Sequence, residues 1–143
     1  MNGWPWDDDA LPEPLLPLAS TFEGFLELDW QTLTPDSAAV RFAVRDNLKQ
    51  PLGLLHGGIY SAVAETVASV ATAASVWREG MTVSGLSNSA NFLRPVTAGT
   101  VQVSARCRHH DEREWLWSHE FRDGRERLCA LVDVRIAVRP RRP

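Results

Sequence analysis

The stretch that decides the fold is LLHGGIYSAVAETVASVATAASVW, Leu54 to Trp77. Between Gly58 and Gly80 it holds neither Gly nor Pro, and alanine dominates, so its intrinsic preference is helical. One helix is expected over 57–77. Ser61, Glu65, Ser69 and Thr72 recur at spacings of four, four and three, which puts them in one polar stripe, with Ala, Val, Ile and Tyr opposite. No Lys or Arg stands in this helix before Arg78 to pair with Glu65. An ionised carboxylate is costly to bury alone, and a plain solvent face is usually broader and richer in Lys, Arg and Glu. The stripe therefore marks a candidate site. Its polar residues also argue against a bilayer span and for a place inside the protein.

Working outward, GFLELDW (24–30) and AAVRFAVR (38–45) alternate as strands around the turn-rich TPDS, an antiparallel hairpin. Beyond the helix, segments 81–96, 100–110, 114–123 and 127–139 each carry β-branched or aromatic alternation, with turn signals at TAG, DER and DGRE. Two strands, one long apolar helix and four more strands point to an α+β fold, a curved antiparallel sheet wrapped around a central helix. Residues 1–20 mix Pro, Asp and Trp without a period and are expected to form an irregular arm. The domain is expected over 21–139, with a tail at 140–143.

The chain has 143 residues, enough for one domain with a real core. A formal charge of −3 provides no broad basic field, so nucleic acid is not expected as a partner. Cys107 and Cys129 have no short metal-type spacing, which speaks against a disulfide framework or a zinc site. The N-terminus lacks the basic start and apolar run of a secretory signal, so a cytoplasmic location without a membrane partner is expected.

The start of the helix adds a second feature. His56, Gly57 and Gly58 open it, and the first N–H groups of a helix lack internal partners, so they donate readily to an anionic oxygen. Two glycines let a ligand approach that backbone. A donor pocket and a carboxylate are the parts acyl transfer requires. Yet Glu65 lies eight residues beyond Gly57, roughly 12 Å along a straight helix, whereas both must come within about 3 Å of one carbonyl. A two-fold partner with its helix antiparallel resolves this, so an obligate homodimer with active sites at the interface is expected.

HGG with an acid nine positions after its His, opening an Ala-rich helix ahead of four strands, resembles the hotdog-fold acyl-CoA thioesterases. The similarity is to the phenylacetate-pathway and 4-hydroxybenzoyl-CoA thioesterase branch and covers about Phe22 to Arg139. It implies that the Gly57 N–H polarises the thioester carbonyl while Glu65 of the facing subunit is nucleophile or general base. It also implies that Gln50 orients the carbonyl or the water, that Ser69 positions water or the carboxylate, and that Arg94 contacts the CoA phosphates. His56 and Gly58 are expected to line the substrate site, and the position of His56 also suits a helix cap. The chemistry implied is hydrolysis of an aryl or medium-chain acyl-CoA, with no metal or cofactor, CoA entering only as part of the substrate. A dimer of dimers is the larger assembly expected.

Two other readings of the same fold are weighed. One is a non-catalytic acyl-CoA-binding module, against which the retained Glu65 argues. The other is a hydratase, which would carry a His about five residues after the acid, where Val70 stands. His109, His110 and His119 read as surface residues, with His109 or His110 near the CoA phosphates. Cys107 and Cys129 read as buried structural thiols, and Trp115 and Trp117, two apart, share one strand face.

Overall fold

Thr21 caps a short helix, α1 (Phe22–Leu26), by accepting from the Gly24 N–H at 3.2 Å in the computed structural model, which describes residues 15–143. The expected arm over 1–20 therefore falls outside the described residues as far as residue 14. Here the strand expected from Gly24 is corrected: Gly24, Phe25 and Leu26 complete α1, and Glu27 turns left-handed at φ 52° to end it. The apolar spacing that reads as alternation instead buries Leu26 from one helical turn. The hairpin itself is present as β1 (Asp29–Leu33) and β2 (Ser37–Ala43), paired antiparallel.

The long helix α2 spans Gly57–Val76 and is followed by a tight 3-10 turn that Gly80 closes with φ 79°. Four strands follow: β3 (Met81–Phe92), β4 (Thr100–His110), β5 (Glu114–Arg122) and β6 (Leu128–Pro140). The sheet order is β1-β2-β4-β5-β6-β3, antiparallel throughout. After α2 the chain thus crosses to the far edge, where β3 pairs only with β6 among the described strands.

Alternation on the strands aims one face at the helix. Val101 and Val103 of β4, Trp117 and Phe121 of β5, and Val132, Val134 and Ile136 of β6 are buried against Val63, Ala64, Val67, Ala68 and Ala71 of α2. The small alanines let the sheet approach the helix closely. By length and composition the helix would serve to cross a bilayer, but here most of it lies inside the sheet.

Two polar residues depart from expectation. Thr72 is buried rather than part of an open stripe: its Oγ1 donates to the Ala68 carbonyl at 2.8 Å and accepts from Trp117 Nε1 at 2.9 Å. The twisted sheet covers the later turns of α2 at an azimuth it leaves open near Glu65. His119 is likewise not at the surface, being 1% exposed on the inward face that carries Trp115, Trp117 and Phe121. Its Nδ1 meets the Val132 carbonyl at 3.0 Å, and its Nε2 has no partner among the described residues.

Burial pushes the His119 pKa down to about 4, outweighing the Val132 carbonyl and Asp133, which favour the cation. The unfolded chain takes up this proton near its ordinary 6.5, so stability is lost as pH falls from that value toward 4. Urea unfolding should show this loss, on the order of 3 kcal/mol from this one group by pH 4. His119→Phe should flatten the profile in that window.

Candidate active site

The loop ahead of α2 is pinned from both sides. Leu55 N–H donates to the Val96 carbonyl and His56 N–H to the Leu48 carbonyl, at 2.8 and 2.9 Å, while Gly53 turns at φ 87°. His56 is the N-cap in extended backbone, and its Nδ1 accepts from the Gly58 N–H at 2.8 Å. That bond places any ring proton of a neutral imidazole on Nε2 and removes Nδ1 as a base. It also commits the Gly58 N–H, which was expected to face the substrate. The Gly57 N–H has no acceptor among the described residues. The helix therefore opens with one donor left free at its positive end.

Gln50 sits in the same pinned loop. Its Oε1 accepts from the Leu52 N–H, and because a backbone N–H only donates, this contact assigns the amide oxygen to that side and leaves Nε2 as a donor. Glu65 is exposed, and Ser69 stands one turn beyond it, half-buried. Arg94 is exposed just past the end of β3, with its backbone N–H on the Cys129 carbonyl at 3.1 Å.

Strand β3 brings in residues that the sequence reading missed. It runs along the flank of α2 and touches it at three levels. At the helix start, the Phe92 ring lies over Gly57, where an added Cβ would be 2.9 Å from Cζ. One turn on, Asn88 Nδ2 donates to the Ser61 carbonyl at 2.9 Å. At the third level the Glu65 carboxylate lies over Gly85, where an added Cβ would be 2.7 Å from Oε1. Phe92 is braced by Tyr60, with ring centroids 5.7 Å apart, and Tyr60 packs edge-on against Phe121 at 5.1 Å. Burial pushes the Tyr60 phenol up to about 12, with Cys129 and Asp123 adding to the shift, so it stays protonated at neutral pH. The N-F-L-R-P-V run at the strand end signalled Arg94 but not that the preceding aromatic would cover the glycine.

Phe92 packs on Gly57 at the start of α2, Gln50 lies in the loop that precedes the helix, Arg94 follows Phe92 by two residues, and Glu65 and Ser69 lie further along the helix. Not every expected residue joins them. His110 stacks on Trp115 at 4.3 Å and His109 lies 3.8 Å from Asp111, both at the β4–β5 hairpin. That hairpin borders a cavity of about 1090 Å³ lined by Val76, Met81, His110, Trp115 and Val138, at the opposite end of α2. None of Gln50, His56, Gly57 or Glu65 lines it. Cys129 is buried as expected, and Cys107 is only half-buried beside a β-bulge.

Comparison with known proteins was made on this geometry. A family model described as "Thioesterase superfamily" matches residues 52–130. A Mycobacterium tuberculosis protein provisionally named an esterase is 35% identical over 138 residues, covering 92% of this chain and 97% of its own. Its solved structure aligns with a TM-score of 0.80 over 85% of this chain and 98% of that one. The 1,4-dihydroxy-2-naphthoyl-CoA hydrolase of Escherichia coli is 34% identical over 115 residues, 80% of this chain and 84% of that protein. A solved Haemophilus influenzae thioesterase is 30% identical, with a TM-score of 0.76 and 86% of each chain covered.

Removing the cap tests the local geometry. His56→Ala should lower stability by about 1 kcal/mol in urea unfolding, and His56→Ser should recover most of it.

Proposed function

The chain belongs to the thioesterase superfamily and is a thioester hydrolase, and we propose that it cleaves an aryl or medium-chain acyl-CoA at sites shared between two protomers. One observation carries the reading: the free N–H of Gly57 and the lone acid Glu65 lie on one flank of α2 beside the edge strand β3. The aryl preference draws support from the name of the Escherichia coli relative, whose acyl group is aromatic.

A single protomer leaves the two groups about 12 Å apart along the axis. A second copy, related by a two-fold axis with its β3 beside this one, continues the sheet and sets the helices antiparallel. The edge it would cover holds Leu86, Phe92 and Leu93, which are 48%, 57% and 54% exposed. A strand of this length with apolar side chains at an open edge favours such pairing.

In the proposed site the thioester carbonyl oxygen accepts from the Gly57 N–H, and the Gln50 Nε2 is within reach of the same oxygen or of the water. The partner's Glu65 then acts in one of two ways. It removes a proton from water as the water oxygen bonds to the carbonyl carbon, or it attacks that carbon itself and the resulting anhydride is hydrolysed. In both, the C–S bond breaks, the CoA thiolate leaves and takes a proton, and one water is consumed. Negative charge grows on the carbonyl oxygen at the positive end of the helix, where a fixed donor lowers the barrier most. In this reading Ser69, one turn from Glu65, holds the water or the carboxylate, and Arg94 contacts the CoA phosphates.

Thiol release from aryl and aliphatic CoA thioesters tests the activity. Glu65→Ala should lower kcat by at least ~10²-fold, and release from no thioester by the wild type would favour a binding module instead. Gly57→Val, which drives Phe92 aside and crowds the donor, should also be inactive. Equal mixing of the two dead variants should restore about one quarter of wild-type activity, since half the dimers are mixed and each has one intact site of two. Mixtures that stay dead, or a monomer in sedimentation at micromolar concentration, contradict shared sites; a dimer or a dimer of dimers fits them.

A further inference from the structure

Gly85 has no conformational reason to be glycine. It is not among the residues with left-handed φ and lies inside the twelve-residue strand β3, where a glycine weakens the strand. What the position requires is space. A Cβ built there would be 2.7 Å from Glu65 Oε1, 3.5 Å from its Cδ and 3.9 Å from its Cγ. The ladder to β6 is also irregular here, shifting register between Gly85 and Ser87 so that Leu86 is the extra residue. Bulges of this kind bend a strand locally and recur beside active sites. Three residues further along, Asn88 holds β3 to the helix through the Ser61 carbonyl, which fixes the strand's register on α2.

We propose that Gly85 is a positioning residue: its missing side chain, beside the bulge at Leu86, is the seat that holds the Glu65 carboxylate in its working position on the open flank of α2. The inference rests on Glu65 being the acid of the reaction. Without the seat, a Cβ meets the flexible end of the Glu65 side chain, which swings away at little cost to the fold. A misplacement of about 1 Å in a reacting group costs on the order of 10²-fold in rate, so the loss falls on turnover and not on stability.

The test is a set of variants assayed on the acyl-CoA that the wild type cleaves fastest among benzoyl-CoA, phenylacetyl-CoA and hexanoyl-CoA. Gly85→Ala should lower kcat at least tenfold, leave KM within about twofold and leave Tm within about 2 °C. In a Glu65→Ala background the same change should cost less than about twofold, because there is no carboxylate left to displace. In a Glu65→Asp background, where the acid is one methylene shorter and clears the new methyl, Gly85→Ala should cost less than it does beside Glu65. Wild-type kcat in Gly85→Ala, or an equal loss in all three backgrounds, overturns the positioning role even if Glu65→Ala is dead. Full turnover in Glu65→Ala is a separate failure, which removes the acid assignment and with it any effect of Gly85 on rate.

Discussion

Because β3 runs along the flank of α2, three of its residues meet the helix where chemistry is expected: Phe92 at Gly57, Asn88 at Ser61 and Gly85 at Glu65. Everything else about the site depends on this seam. The sheet behind it supplies the apolar surface that stabilises the helix, but the core-facing side of α2 carries no charged group. The candidate site is confined to the flank that the sheet leaves open. A carboxylate there keeps its hydration, which no position facing Val132 or Phe121 would allow without severe cost.

The cap and the seam act on the two ends of the problem separately. His56 satisfies the Gly58 N–H, so the helix start is stabilised without consuming the Gly57 donor. A Ser or Asp at the cap would also satisfy one N–H, but an Asp would bring a negative charge to the place proposed to hold an oxyanion. A neutral imidazole nitrogen caps without that repulsion. Phe92, braced by Tyr60, then covers the Gly57 Cα from the β3 side.

Most of the architecture was legible because period and composition carried it. A run without Gly or Pro between Gly58 and Gly80 specified α2, and two-residue alternation specified β3 to β6 to within a few residues. What escaped were features that depend on how elements cross. Ser61, Glu65 and Thr72 share an azimuth, yet Thr72 is buried under Trp117 because the sheet twists beneath the helix. A helical wheel assumes one environment along the axis and cannot register that change. His119 was recoverable, since it stands two residues after Trp117 on the same strand face, but a polar residue in that pattern reads first as surface. The helix at Phe22–Leu26 was hidden because a five-residue element is decided by its cap at Thr21 more than by any period. The pairing of Gly85 with Glu65 was beyond sequence reading altogether, because it joins residues twenty apart whose contact exists only once β3 has crossed to the edge.

The same seam sets the cost of covering the open edge. A twelve-residue strand paired on one side only, with Leu86 and Phe92 exposed on it and Leu93 exposed just beyond its end, is an invitation to association. Its neighbour across the seam is the helix flank bearing Glu65. Closing the edge with a second copy would take that carboxylate partly out of water. Such a step is favourable only if the incoming surface supplies compensation. In the proposed two-fold arrangement that compensation would be the helix start of the second copy, with its free Gly57 N–H and positive dipole end. In the proposed dimer, the exposed Glu65 carboxylate would favour the antiparallel helix pairing, which sets a helix start beside it.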